Sequence, residues 1–198
     1  MEERIDISKK DLLAAYDEAD SDGKALLEKL YGKAIFAKDI TERVKTFEDA
    51  LEVLGEVHCF VSEYNTLVNS GLIHSLSPDL VAYLKLRIIT AALNEGWEPQ
   101  FTVDEYRYYP WFAFYTQKEI DEMDEEDRSR VVGRAYHSSN AGGGVACASS
   151  NYASSHSSSY HGSRLAFKTR ELAIYAGKQF VEIWADFVFR PETKETKE

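Results

Sequence analysis

Cysteine is scarce in this sequence: Cys59 and Cys147 are the only two, and they stand far apart. That excludes a disulfide framework and a cysteine-rich zinc site, both of which need clustered thiols. No run of about 18 apolar residues occurs, so no membrane-spanning helix is expected. The opening Met1-Glu2-Glu3-Arg4-Ile5-Asp6 has neither a basic n-region nor an apolar h-region. A secretory signal is therefore not expected, and a cytoplasmic location follows. Cations are in deficit, 23 Lys and Arg against 34 Asp and Glu, for a net charge of −11. Affinity for a nucleic-acid backbone comes mainly from Lys and Arg, so the balance disfavours that partner.

What is present suffices for a core. The chain has 198 residues, of which 44% are hydrophobic and 13% aromatic. The pattern predicts one α+β domain over residues 1–190, with a helical part (1–96), a sheet-plus-helix part (97–190) and a disordered tail (191–198). Ser8, Asp20 and Thr46 precede apolar residues at helical spacing, as N-caps do. Gly32 and Gly55 fit C-terminal stops. A further helix is expected over Val57 to Val68. Ser77-Pro78 opens a helix that runs to Gly96 and is apolar around most of its circumference, as a central helix is.

Beyond Gly96 the texture changes. Tyr106 to Tyr115 is aromatic and β-favouring, with Pro110 marking an edge, a bulge or a start. Thr116 to Arg130 carries a charge of −4 and reads as a solvated turn and short helix. Further strands are expected at Val131 to Ser139, around Val145-Cys147-Ser149, and at Ser163 to Thr169. The segment Ser138 to Ser163 is biased toward Ser, Ala, Gly, Tyr and His, as loops are. Thr169 caps a last helix with Leu172, Ala176, Phe180, Ile183, Trp184 and Phe187 at helical spacing. The expectation is N-terminal helices, then a small antiparallel sheet of three to four strands packed by a C-terminal helix.

Chemistry-bearing patterns are weak. Glu18, Asp20, Asp22 and Gly23 imitate an EF-hand loop, but its twelfth position is Lys29, not a bidentate Glu. His137, His156 and His161 could serve a hydrolase or a metal enzyme. No Cys or carboxylate completes a ligand set beside them, and no Gly-x-Ser-x-Gly elbow is present. Asn140-Ala141-Gly142-Gly143-Gly144 lacks the Lys-Ser/Thr of a phosphate loop. No cofactor is expected. The aromatic strand offers a candidate interface of Arg107, Tyr108, Tyr109, Trp111, Phe112 and Tyr115, residue types that dominate binding hot spots. With a basic end at Arg164, Lys168 and Arg170, the same strand could instead stack single-stranded nucleic acid.

Three stretches together resemble a group of uncharacterised proteins encoded by phages and prophages of gut anaerobes. They are Ala91-Ala92-Leu93-Asn94-Glu95-Gly96-Trp97-Glu98-Pro99, then Tyr108-Tyr109-Pro110-Trp111-Phe112, then Gly162 to Phe180. The chain departs from the pattern at Ala166, where members of the group tend to carry Cys. The resemblance implies a mobile-element setting, in the host cytoplasm or the virion, and carries no activity, cofactor or catalytic residue with it. The reading is a non-enzymatic protein-binding or assembly module that meets a protein partner or another copy of itself.

Overall fold

Capping side chains set the helix starts in a computed structural model, which describes residues 8–36, 39–100, 102, 104–133, 144–154 and 162–189. α1 (Lys9–Glu18) begins at Ser8, whose hydroxyl accepts from the Asp11 amide. α2 (Ser21–Tyr31) begins at Asp20, whose carboxylate accepts from the Gly23 amide at 2.9 Å. The acid that imitated a calcium ligand closes this turn instead. A 3-10 turn (Lys33–Phe36) and the short α3 (Ile40–Arg43) follow. These elements form the first of two compact units, residues 1–43. Within it, Tyr16 stacks on Phe36 at 4.1 Å and donates its phenol proton to Glu28. That bond raises the phenol's pKa, with slight burial adding to it.

The second unit spans residues 44–198. α4 (Phe47–Leu54) starts with a capping box. The Thr46 hydroxyl accepts from the Asp49 amide, and the Asp49 carboxylate accepts from the amides of Thr46 and Lys45. α5 (Cys59–Asn69) has an unusual cap: the His58 ring accepts from the Phe60 amide through Nδ1. α6 (Pro78–Asn94) is the central helix, with Leu86, Ile88, Ile89, Ala92 and Leu93 all buried. It packs against α4, α5 and the last helix of the chain.

The sheet is small and antiparallel. β1 (Tyr106–Tyr115) pairs antiparallel along its length with the strand Gly144–Ser154. Two short helices, α7 (Gln117–Glu122) and α8 (Glu125–Ser129), follow β1 in the chain. Among the described residues β2 is Val132–Gly133, and β3 is that partner, Gly144–Ser154, which lies between the other two. Among the described residues the sheet is thus a long β1–β3 ribbon with β2 paired on its far side. Ser163 to Thr169 does not form the expected strand. Ser163–Leu165 is a 3-10 turn, and only Phe167 bridges to β1, at Tyr108. Residues 134–143, which hold most of the expected Val131–Ser139 strand, and the tail 191–198 lie outside the described residues.

Thr169 caps the C-terminal helix as expected, its hydroxyl accepting from the Leu172 amide. The helix does not run through. It breaks at Phe180 into α9 (Arg170–Gln179) and α10 (Val181–Val188). The break lets one aromatic stripe serve two surfaces. α9 lies on β1 and β3, whereas α10 lies chiefly on α6. Phe112 meets Trp184 at 5.5 Å between ring centroids, and Phe114 meets Phe189 at 5.2 Å. Tyr175 and Gln179 tie α9 back to the Val44 and Lys45 carbonyls at 2.7 and 2.8 Å.

Among the described residues β1 is an edge strand, and hydrogen-bond direction explains its proline. In an antiparallel ladder a residue's N–H and C=O point to the same side, and successive residues alternate. Tyr108 donates to and accepts from Phe167, at 3.1 and 2.9 Å, on the side away from β3. Pro110, two residues on, also faces away from β3, so its missing N–H takes nothing from the β1–β3 ladder. The register shift between Trp111 and Phe112 comes from an extra residue in β3 at Ala148, so β1 keeps its phase through the proline.

Candidate functional site

The fold divides the aromatic strand sharply. On the face that meets α9 and α10, Pro110 and Phe112 are buried. On the opposite face, Arg107 and Tyr109 are buried as well, Tyr109 being 1% exposed, yet Trp111 two positions along is 51% exposed. Tyr108 and Tyr115 are half-buried. Of the six candidate interface residues, Trp111 alone presents most of its side chain to solvent. Phe114 and Tyr106 are exposed at the strand's ends on the other face.

The basic end is also divided. Lys168 is half-buried and pairs with Glu95 at 3.2 Å. Arg164 and Arg170 are exposed, one in the 3-10 turn and one in the first turn of α9. With Arg107 buried against the sheet, two of the four cations proposed to meet a nucleic-acid backbone are occupied within the fold. His137, His156 and His161 lie outside the described residues. Among the described residues, no three His, Cys, Asp or Glu side chains converge as a metal site, and no helix is long and apolar enough to cross a membrane.

Two of the sequence stretches singled out above, 91–99 and the start of 162–180, meet around a cleft of about 440 Å³. Its other walls are the end of α4 at Leu54 and the start of α5 at His58, Cys59 and Phe60. Asn94 holds the two stretches together. Its Nδ2 donates to the Ala166 carbonyl at 2.7 Å, and its Oδ1 accepts from the Lys168 amide at 3.1 Å. Phe167 between them turns its own N–H and C=O to Tyr108. The extended residues 166–168 are thus bonded on both sides, by a strand and by a carboxamide acting in place of a strand. Sequence reading missed Asn94; a lone amide in the apolar α6 pattern was the available signal.

The two thiols differ in environment. Cys59 is exposed at the start of α5. Cys147 sits under α9, where burial pushes its thiol up to about 11 while Lys178 pulls the other way. At pH 8 that leaves about 0.1% of Cys147 as the reactive thiolate. Iodoacetamide at pH 8 is therefore expected to label Cys59 and leave Cys147 unmodified until urea unfolds the chain. Mass spectrometry of tryptic peptides reads this directly, and equal labelling of both thiols in the folded protein would contradict the packing of α9 on β3.

Comparison with protein-family models, with curated proteins and with solved structures finds no match to this chain.

Proposed function

We propose that this chain is a non-enzymatic protein-binding module of phage type, acting in assembly, and that it grips its partner with side chains of β1 rather than with the strand's backbone. The observation that carries the reading is Trp111, 51% exposed in the middle of an edge strand. An open edge would invite a partner strand. Here Phe167 already occupies the edge at Tyr108, and Pro110 offers no donor. That leaves an exposed tryptophan, the residue type most enriched at binding hot spots.

The test is sedimentation of the chain with the proteins encoded beside it, comparing wild type with Trp111→Ala. A hot-spot tryptophan is worth about 2 kcal/mol or more, so the variant should bind about 30-fold more weakly. Its urea midpoint should move little, because the side chain is half in solvent already. A strictly monomeric wild type, with no partner distinguishing it from Trp111→Ala, would sink the proposal.

A further inference from the structure

We infer that α2 is a self-association face, pairing antiparallel with α2 of a second copy of this chain. It lies in the first unit and uses no residue of β1, so it stands apart from the Trp111 reading. Helical spacing and packing give α2 two sides. On the inner side Lys24, Leu27 and Glu28 are half-buried. Glu28 accepts from the Tyr16 phenol, and the Lys24 ammonium lies over the Tyr16 ring at 5.5 Å from its centroid. The outer stripe is Asp22, Leu26, Lys29 and Leu30, which share one side of a helix at i, i+4, i+7 and i+8. All four are exposed, Leu26 at 56% and Leu30 at 65%. An apolar stripe of this kind ordinarily faces a core or a partner.

The charges on the stripe identify its partner. Asp22 stands in the first turn of α2 and Lys29 in the last, about 10 Å apart along the axis. Neither side chain has an ionic or hydrogen-bonded partner among the described residues. A two-fold axis beside Leu26 sets Asp22 of each copy against Lys29 of the other, so the contact is made twice. Leu26 then packs beside Ala25 of the other copy, an exposed position small enough for the helices to approach. A parallel pair would instead oppose Asp22 to Asp22 and Lys29 to Lys29, and like charges in contact are unfavourable. The stripe is thus its own complement in one orientation. An isologous contact requires that pattern, and a contact with an unrelated surface does not.

Sedimentation equilibrium of the intact chain in low salt tests this. One short helix from each copy is a smaller contact than the about 800 Å² per partner of a standard interface, so the dimer should be weak, with a Kd of about 10–100 μM. Leu26→Gln keeps a good helix former but removes the apolar contact, and should raise that Kd at least about tenfold. Trp111→Ala should leave it unchanged, which separates this contact from the one on β1. The decisive experiment swaps the charges. Asp22→Lys opposes lysine to lysine, and Lys29→Glu opposes acid to acid. Each variant alone should dimerise at least about tenfold more weakly than wild type. Mixed in equal amounts they should form a heterodimer at about the wild-type Kd, because every contact is again between opposite charges. A helix lost to the new charge at its end would not return on mixing, so the mixture separates a lost helix from a lost contact. Three results would each overturn the assignment. They are a wild type that stays monomeric up to about 500 μM, a dimer unchanged in both single charge variants, and a monomeric Leu26→Gln whose urea midpoint falls below that of an equally monomeric wild type. The last would mean that the stripe is covered within its own chain.

Discussion

Asn94→Ala is expected to destabilise the second unit by about 2–4 kcal/mol, a large share of the stability of an ordinary domain. The side chain is buried and makes two hydrogen bonds to backbone more than 70 residues away. Alanine leaves the Ala166 carbonyl and the Lys168 amide facing a space that no protein group fills. Each orphaned buried group costs about 1–3 kcal/mol, with Lys168 toward the low end because water reaches it in part. Urea unfolding followed by tryptophan fluorescence measures the loss in the right place, since Trp97, Trp111 and Trp184 all belong to residues 44–198.

Asn94→Asp sharpens the same test. The aspartate keeps an acceptor for the Lys168 amide but replaces the donor to the Ala166 carbonyl with a carboxylate oxygen. Two acceptors then face each other, so at neutral pH the variant should be at least as unstable as alanine. Protonation restores a donor, which places the variant's folded-state carboxyl above the ordinary aspartate value. A group raised in this way favours the folded state below its unfolded value and loses that contribution as pH rises through the folded one. The deficit relative to wild type should therefore narrow on acidification. Variants within about 0.5 kcal/mol of wild type at every pH would mean the carboxamide is not the tie described above.

The second large effect is expected at Gly177. A glycine in a helix ordinarily costs about 1 kcal/mol against alanine, so Gly177→Ala on an exposed face would stabilise. Here a Cβ would run into the Cys147 sulfur and come within 2.9 Å of the Pro110 Cβ. The backbone of α9 lies this close to the sheet because position 177 has no side chain. Alanine should destabilise by about 1–3 kcal/mol despite its better propensity, and leucine should prevent the second unit from folding. Cys147→Ala removes the nearest obstacle, so the double variant should recover at least about 1 kcal/mol in a mutant cycle. A Gly177→Ala protein more stable than wild type would show that α9 stands off the sheet.

The parts of this fold that are local were legible. Ser8, Asp20, Thr46 and Thr169 each begin a helix with a side chain that accepts from an amide three residues on, and sequence offers that spacing directly. The aromatic strand was placed at its correct bounds because its composition is β-favouring throughout. What was not legible depends on what lies across from a residue. Tyr109 and Trp111 share a face by period two, yet one is buried and the other open. The break at Phe180 follows from α9 and α10 having different partners, which no periodicity within the helix encodes. Gly144 read as the end of a glycine loop, whereas it opens β3 where a Cβ would come within 2.8 Å of the Val132 carbonyl. His58 was missed as a cap because its ring nitrogen stands in for the usual hydroxyl or carboxylate. The candidate site fared similarly: Trp111 was found within its strand, whereas the cleft beside Asn94 joins segments that only the tertiary fold brings together.

Pro110 has a consequence for how many copies of this chain can coexist. The run Tyr106 to Tyr115 holds seven aromatic residues and one charge. Without its proline it is the kind of segment that stacks in register into fibres, each copy templating the next along its free edge. A ring in place of one outward N–H breaks that template in the middle of the run, while Phe167 blocks it near the start. An aromatic strand of this composition is thereby kept from templating copies of itself through its backbone. The chain can then reach high local concentrations without stacking into fibres.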